Sequence, residues 1–263
     1  GQGFDRFEGS DTVVPDAEQS VAIALAQLEE AKGVPVFLWL HLFDAHSPYG
    51  PPEPFDRKYY PKDRDPRSGE FSLGVVDNCL PPWLDGVRDA GYFYSQYRAE
   101  VDYLDHSLGR LFDLPRVRAG IVAFTADHGE SFGQHGIYWN HAGLYPDTIR
   151  VPLILTWPGA PGLTEVTEPV ESVDIGRTLL DLAGASVPFP GRDLRWSLAE
   201  SPERQARFTL NAHYLEASMS VQGWLLILHL KPHQVLGETI ARERGEVELT
   251  VRVPSADTVA FTV

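Results

Sequence analysis

The chain has 263 residues, enough for one large domain or for one domain plus a small appendage, and its hydrophobic fraction of 43% and charged fraction of 22% are ordinary for a globular protein. Its net charge of −15 excludes general affinity for a nucleic-acid backbone, and no Lys/Arg-rich run offers a local exception. The longest apolar runs, Val34–Leu42 and Trp224–Leu230, are too short to span a bilayer.

Cys79 is the only cysteine, so no internal disulfide framework exists and the redox compartment stays open. The chain starts at Gly1 and its one methionine is Met219, so the start is read as internal to a longer protein.

Asp16–Lys32 is predicted to be a helix. Asp16 caps it with Gln19 three residues on, Gly33 closes it, and Val21, Leu25 and Leu28 give an apolar stripe. Val36–Leu42 is predicted to be a buried strand. Helix followed by strand, repeated, implies α/β architecture with a mainly parallel sheet flanked by helices. Ser47–Pro82, rich in Pro, Gly, Asp and Arg, is expected to be a long surface excursion. A second helix is predicted over Tyr92–Phe112. Its apolar residues Tyr94, Tyr97, Val101, Leu104, Leu108 and Leu111 have helical spacing, and Glu100, Asp102 and Asp105 take the opposite face.

Ile121–Thr125 is predicted to be a strand, followed by a long loop over Asp127–Asp147. Val151–Thr156 is a further strand, ended by Trp157-Pro158-Gly159. Ser172 is expected to cap a helix through Leu182, with Ile175, Leu179 and Leu182 inward and Gly184 as its stop. After Pro190 the pattern changes. Phe208–Leu210, Trp224–Leu230, Val247–Val253 and Thr258–Val263 are predicted strands without long helices between them, a small antiparallel subdomain. The organisation expected is therefore 1–190 and 191–263, without internal repeats.

Histidine-bearing clusters follow strand ends or turns. The first runs from His41 through Asp44 and His46 to Tyr49. The second is Asp127-His128-Gly129-Glu130, and the third is Trp139-Asn140-His141-Ala142-Gly143-Leu144-Tyr145. Asp127 and His128 stand where a buried strand stops, the place where open α/β sheets bind ligands. A carboxylate and an imidazole can share one divalent ion, but two ligands are too few for a catalytic site. The bland readings are Asp127 as a turn cap and His46 as a loop histidine. Glu130 is read as orienting the loop, Arg150 as structural and His41 as a core histidine. His106 is placed on the surface. His213, His229 and His233 carry no chemical context.

The clusters and their order resemble the sulfatase branch of the alkaline phosphatase superfamily. The resemblance rests on His46-Ser47-Pro48-Tyr49, then on Tyr97, Asp105 and Gly109-Arg110 along a helix. It continues through Thr125-Ala126-Asp127-His128-Gly129-Glu130, Arg150-Val151-Pro152 and Pro158-Gly159. Gly3–Phe7 is similar to a family segment too, so the resemblance covers residues 3–185.

The resemblance implies an alkaline-phosphatase-like sheet. It makes Asp127 and His128 metal ligands, and His46 and His141 catalytic residues that contact the transferring group. His135 is a further candidate for substrate contact. It implies one divalent ion, Ca²⁺ foremost with Mn²⁺ or Zn²⁺ as alternatives, and a small anionic ester as substrate. Cations placed around such an ester stabilise the charge that grows on its oxygens.

The family's nucleophile motif, Cys/Ser-x-Pro-x-Arg, and its paired Asp-Asp ligands are absent. Cys79-Leu80-Pro81-Pro82-Trp83 has Trp83 where Arg belongs and follows the His46 segment, so it is rejected as nucleophile. The chain therefore reads as the C-terminal portion of a sulfuric ester hydrolase whose N-terminal half is required for activity. Phosphonate or phosphate ester hydrolysis and phosphoethanolamine transfer are alternatives on the same scaffold. A non-catalytic remnant or split partner is the alternative of another class. Substrate selectivity is expected in the loop Gly50–Pro82 and the C-terminal appendage.

Overall fold

A computed structural model describes residues 3–9, 14–68, 86–162, 165–196, 206–211, 215–221, 223–231, 233–235, 238–241 and 247–250. Cys79, His213, the expected strand Thr258–Val263 and much of the loop before Pro82 lie outside the described residues. The chain forms two compact units, Gly1–Arg118 and Ala119–Val263.

The first unit is built on two packed helices, α1 (Ala17–Glu30) and α2 (Ala90–Phe112). The capping expected for α1 forms in full. The Asp16 carboxylate accepts the Gln19 N–H at 2.8 Å, and the Gln19 side chain accepts the Asp16 N–H at 3.3 Å. Past its end, the Arg116 guanidinium donates to the carbonyls of Leu28 and Ala31, each at 3.0 Å, and to that of Val34. Arg116 belongs to a short turn of helix, α3 (Pro115–Arg118).

α2 is turned about its axis from the expected orientation. Leu108 and Leu111 are buried, but Tyr94 and Val101 are exposed. Phe93, Gln96, Ala99, Glu100 and Tyr103 line the inner face instead. The cause is polar. Glu100, expected outside, accepts the Gly50 N–H at 2.8 Å, and the Gln96 amide donates to the Asp56 carbonyl at 2.6 Å. These bonds hold the 44–60 loop on the helix, with Tyr49 edge-on to Tyr97 at 5.7 Å between ring centroids.

The strand expected over Val36–Leu42 is not formed. The segment pairs with no other among the described residues, and Phe37 and Trp39 are 68% and 69% exposed. A run that is apolar on both faces becomes a strand only where neighbours supply both the ladder and the cover. His41, expected in the core, is likewise exposed.

The second unit opens with β1 (Val122–Thr125), then β2 (Ser131–Phe132), β3 (Tyr138–Asn140), the short helix α4 (Pro146–Ile149) and β4 (Leu153–Thr156). β1 and β4 pair antiparallel, Thr125 opposite Leu153, so all the chain between them is one hairpin excursion. Helix α5 (Ser172–Leu182) follows. Its cap position is Glu171 rather than Ser172, with the Asp174 carboxylate accepting the Glu171 N–H at 3.0 Å. Its most buried side chains are Asp174 and Thr178, not the expected leucines. Asp174 accepts the Arg192 N–H at 2.7 Å and Thr178 the Leu194 N–H at 2.9 Å, so this helix docks through hydrogen bonds.

β5 (Ala206–Leu210), β6 (Glu216–Val221), β7 (Trp224–His229) and β10 (Val247–Thr250) form an antiparallel sheet in the order β10-β7-β6-β5. β8 (His233–Val235) and β9 (Glu238–Ala241) form a separate hairpin. Every ladder among the described residues is antiparallel, including β1 with β4. The parallel neighbours expected for these strands are not found among them. The unit's apolar core joins Leu225 and Ile227 of β7 to Ile137, Leu144 and Tyr145 of the hairpin excursion.

Candidate functional site

The excursion between β1 and β4 is closed at its neck. The Thr125 hydroxyl donates to the Pro152 carbonyl at 2.8 Å, and the Gly129 N–H donates to the Thr148 carbonyl at 2.8 Å. Glycine at 129 is required sterically: a Cβ there would run into the Asp147 carbonyl oxygen, which only glycine avoids.

Asp127 and His128 follow directly from the end of β1. The Asp127 side chain is 75% exposed, and its Oδ2 lies 3.7 Å from His128 Nε2. The His128 Nδ1–H donates to the Gly129 carbonyl at 2.9 Å, since a carbonyl only accepts. That bond places the proton on Nδ1, so Nε2 carries the lone pair able to ligate an ion, and it orients the ring. Two donors bound to one ion at tetrahedral angles stand roughly 3.4 Å apart, so this pair fits part of a divalent shell.

His141 follows β3 and lies against this pair. Its ring stacks on His128 with 3.8 Å between centroids and 21° between planes. Its Nδ1 is 3.9 Å from a carboxylate oxygen of Glu130, whose side chain is 5% exposed. Glu130 thus faces inward toward His141. On either side of His141, the Asn140 side chain accepts the Ala142 N–H at 2.9 Å, and Asn140 pairs with Ser131 across the β2–β3 ladder.

His135, the further candidate for substrate contact, is turned inward. Its side chain is 7% exposed and its ring lies on Tyr145 at 3.9 Å and 9°. Its Nε2 is 4.0 Å from Asp147, whose carboxyl is pushed above the usual range by burial. A ring covered on its face and closed to solvent braces the loop. Tyr145 belongs to the third histidine cluster of the sequence, but its face-on contact with His135 and the burial of Asp147 depend on how the loop folds and are not encoded in local spacing.

In the first unit, His46 sits in the turn after Phe43. Its N–H donates to the Phe43 carbonyl at 3.0 Å, its ring stacks on Phe43 at 4.4 Å, and its Nδ1–H donates to the Ser47 carbonyl at 2.6 Å. Ala45, beside it, holds φ of 73°, a backbone strain that this turn has to sustain. His46 edges a cleft of about 250 Å³ with Asp16, Asp44, Glu100 and Tyr103. Burial raises the carboxyl pKa of both Asp44 and Glu100. Arg150 and His106 are exposed; His229 is buried in the C-terminal sheet beside Glu216.

Comparison with known proteins identifies the family. The sequence model of the family Sulfatase matches residues 8–185. A sulfatase of Formosa agariphila is 29% identical over 194 residues, which is 68% of this chain and 38% of that protein. Choline-sulfatase of Rhizobium meliloti is 38% identical over 130 residues, 48% of this chain and 24% of that protein. The chain therefore spans well under half the length of these relatives. Among solved structures, the phosphonate monoester hydrolase of Silicibacter pomeroyi superposes with a TM-score of 0.63 at 22% identity, covering 89% of this chain and 54% of that one. That likeness establishes an alkaline-phosphatase-like fold. The chain belongs to the sulfatase family of the alkaline phosphatase superfamily.

Proposed function

We propose that these residues form the C-terminal portion of the catalytic domain of a metal-dependent sulfuric ester hydrolase. The observation that carries the reading is the Asp127–His128 pair, held just past β1 on a loop tied at its neck. In this reading Asp127 and His128 contribute ligands to one divalent ion, Ca²⁺ by family. The bound ion supplies Lewis-acid stabilisation of charge on the sulfuryl oxygens. His46 and His141 contact the anionic ester, and one of them protonates the departing alcohol oxygen.

The nucleophile and remaining ligands belong, in this proposal, to a part of the protein outside these residues, together with parallel neighbours for β1 and the 36–42 segment. The short share of each relative's length supports this. Residues 1–190 then belong to the catalytic domain and 191–263 to a β-rich subdomain, as the family match ending at 185 suggests.

The test is turnover by the complete protein of an aryl sulfate, an aryl phosphonate and an aryl phosphate. Sulfate ester hydrolysis with the highest kcat/KM, abolished by Asp127→Ala, is expected. Preference for the phosphonate or phosphate reassigns the substrate class. Turnover by residues 1–263 alone overturns the external nucleophile.

A further inference from the structure

The C-terminal sheet, expected to tune substrate choice, touches the histidine loop in a different way. Leu225 and Ile227 of β7 are 3% and 0% exposed, and their buried neighbours are Ile137, Leu144 and Tyr145. All three neighbours come from the excursion that carries His135 and His141. Ala142, the residue after His141, packs on the same cluster.

The space is filled to the point of excluding a side chain. A Cβ on Gly143 would lie 2.6 Å from the Tyr145 ring and 3.6 Å from Ile137 Cδ1. His141 is thereby held between two anchored neighbours. Asn140 is fixed by its ladder with Ser131, and Ala142 and Gly143 are fixed by the core that β7 completes. Close-packed cores transmit small displacements, because their side chains have nowhere to relax.

We propose that Leu225 and Ile227 are positioning residues for His141: through Ile137, Leu144 and Tyr145 they set the place of its ring against His128. β7 reaches no reacting atom in this account. It acts as the rear wall of the histidine loop. The role of His141 in catalysis rests on the function proposed above, but its stacking on His128 does not.

The test reads ring geometry directly in the complete protein labelled with ¹³C at histidine Cε1. His128 and His141 are assigned with His128→Gln and His141→Gln. Stacked imidazoles displace each other's ring-proton resonances upfield. Ile227→Ala is expected to reduce that displacement, and Ile227→Val, which removes one methyl, to reduce it less in the same direction. Val21→Ala, a core cavity in the other unit, serves as a control for stability loss alone and is expected to leave both resonances in place. The proposal is overturned if Ile227→Val and Ile227→Ala leave the displacement intact, or if Val21→Ala reduces it equally. Should Ile227→Ala fail to fold, Ile227→Val against Val21→Ala decides. Because the readout needs no turnover, its failure is separate from failure of the sulfatase reading.

Discussion

The imidazole of His141 lies face to face with that of His128, 3.8 Å between centroids. The residue proposed to meet substrate therefore also fixes the plane of a proposed ligand. Substitutions at His141 should split these roles. His141→Phe keeps an aromatic face, so metal affinity measured by calorimetry stays unchanged while turnover falls by ~10²–10⁴, the range for a lost general acid. His141→Ala removes the face as well, and metal affinity should then fall by ~10-fold or more, as for other outer-shell supports. Equal metal affinity in the two variants would falsify the coupling.

Gly129→Ala tests the close approach at the neck. The added Cβ meets a backbone oxygen, and backbone cannot rotate aside as a side chain does. A destabilisation of about 1–3 kcal/mol or more is expected in denaturant unfolding. Gly109→Ala supplies the contrast. It lies within α2 with open space around it, so alanine should stabilise by roughly 0.5–1 kcal/mol.

The contribution of Glu100 to stability should fall as pH rises through the acid range. Burial raises the Glu100 carboxyl, so the native state holds that proton at pH values where the unfolded chain has lost it. The native state then binds more protons, and stability declines with increasing pH. Its contribution is greatest below the usual glutamate value, near ~4.3, and is lost once pH passes the raised folded value. Asp44 and Asp147, also raised by burial, act in the same direction. Glu100→Gln retains an acceptor for the Gly50 N–H. Melting curves across pH should show this variant more stable at neutral pH and less dependent on acidification; a profile as steep as the parent's sinks the assignment.

Arg116 closes the end of α1 by donating to three carbonyls, those of Leu28, Ala31 and Val34. Arg116→Ala should lower unfolding stability on the order of 1–3 kcal/mol, since charged donors to backbone carbonyls are stronger than neutral ones. Arg116→Lys should restore little, because an ammonium cannot reproduce the planar fork. Full recovery with lysine, seen in the same unfolding assay, counts against the fork geometry.

Elements that depend on neighbouring residues were legible in the sequence. The α1 cap needs only Asp16 and Gln19, and both bonds form. β1 and β4 appear within a residue or two of where apolar runs and Trp157-Pro158-Gly159 place them. What depended on distant partners was not legible. Glu100 is buried because Gly50 offers it an N–H, and no periodicity within α2 encodes that. The 36–42 segment has the apolar character of a strand but no ladder among the described residues. Asp127, His128 and His141 could be picked out from their residue types and order. That His128 and His141 stack, and that His135 turns inward onto Tyr145, depends on how the loop folds over β7.

The tied neck separates the register of the strands from the contents of the loop. Thr125 with Pro152 and Gly129 with Thr148 close the excursion at its base, so the ladder of Thr125 opposite Leu153 does not depend on the length of chain between them. The loop itself has no such latitude. Ile137, Leu144 and Tyr145 are packed with Leu225 and Ile227, so a change of length between Phe132 and Pro146 would fall on the side chains around His141 and leave the strands where they are.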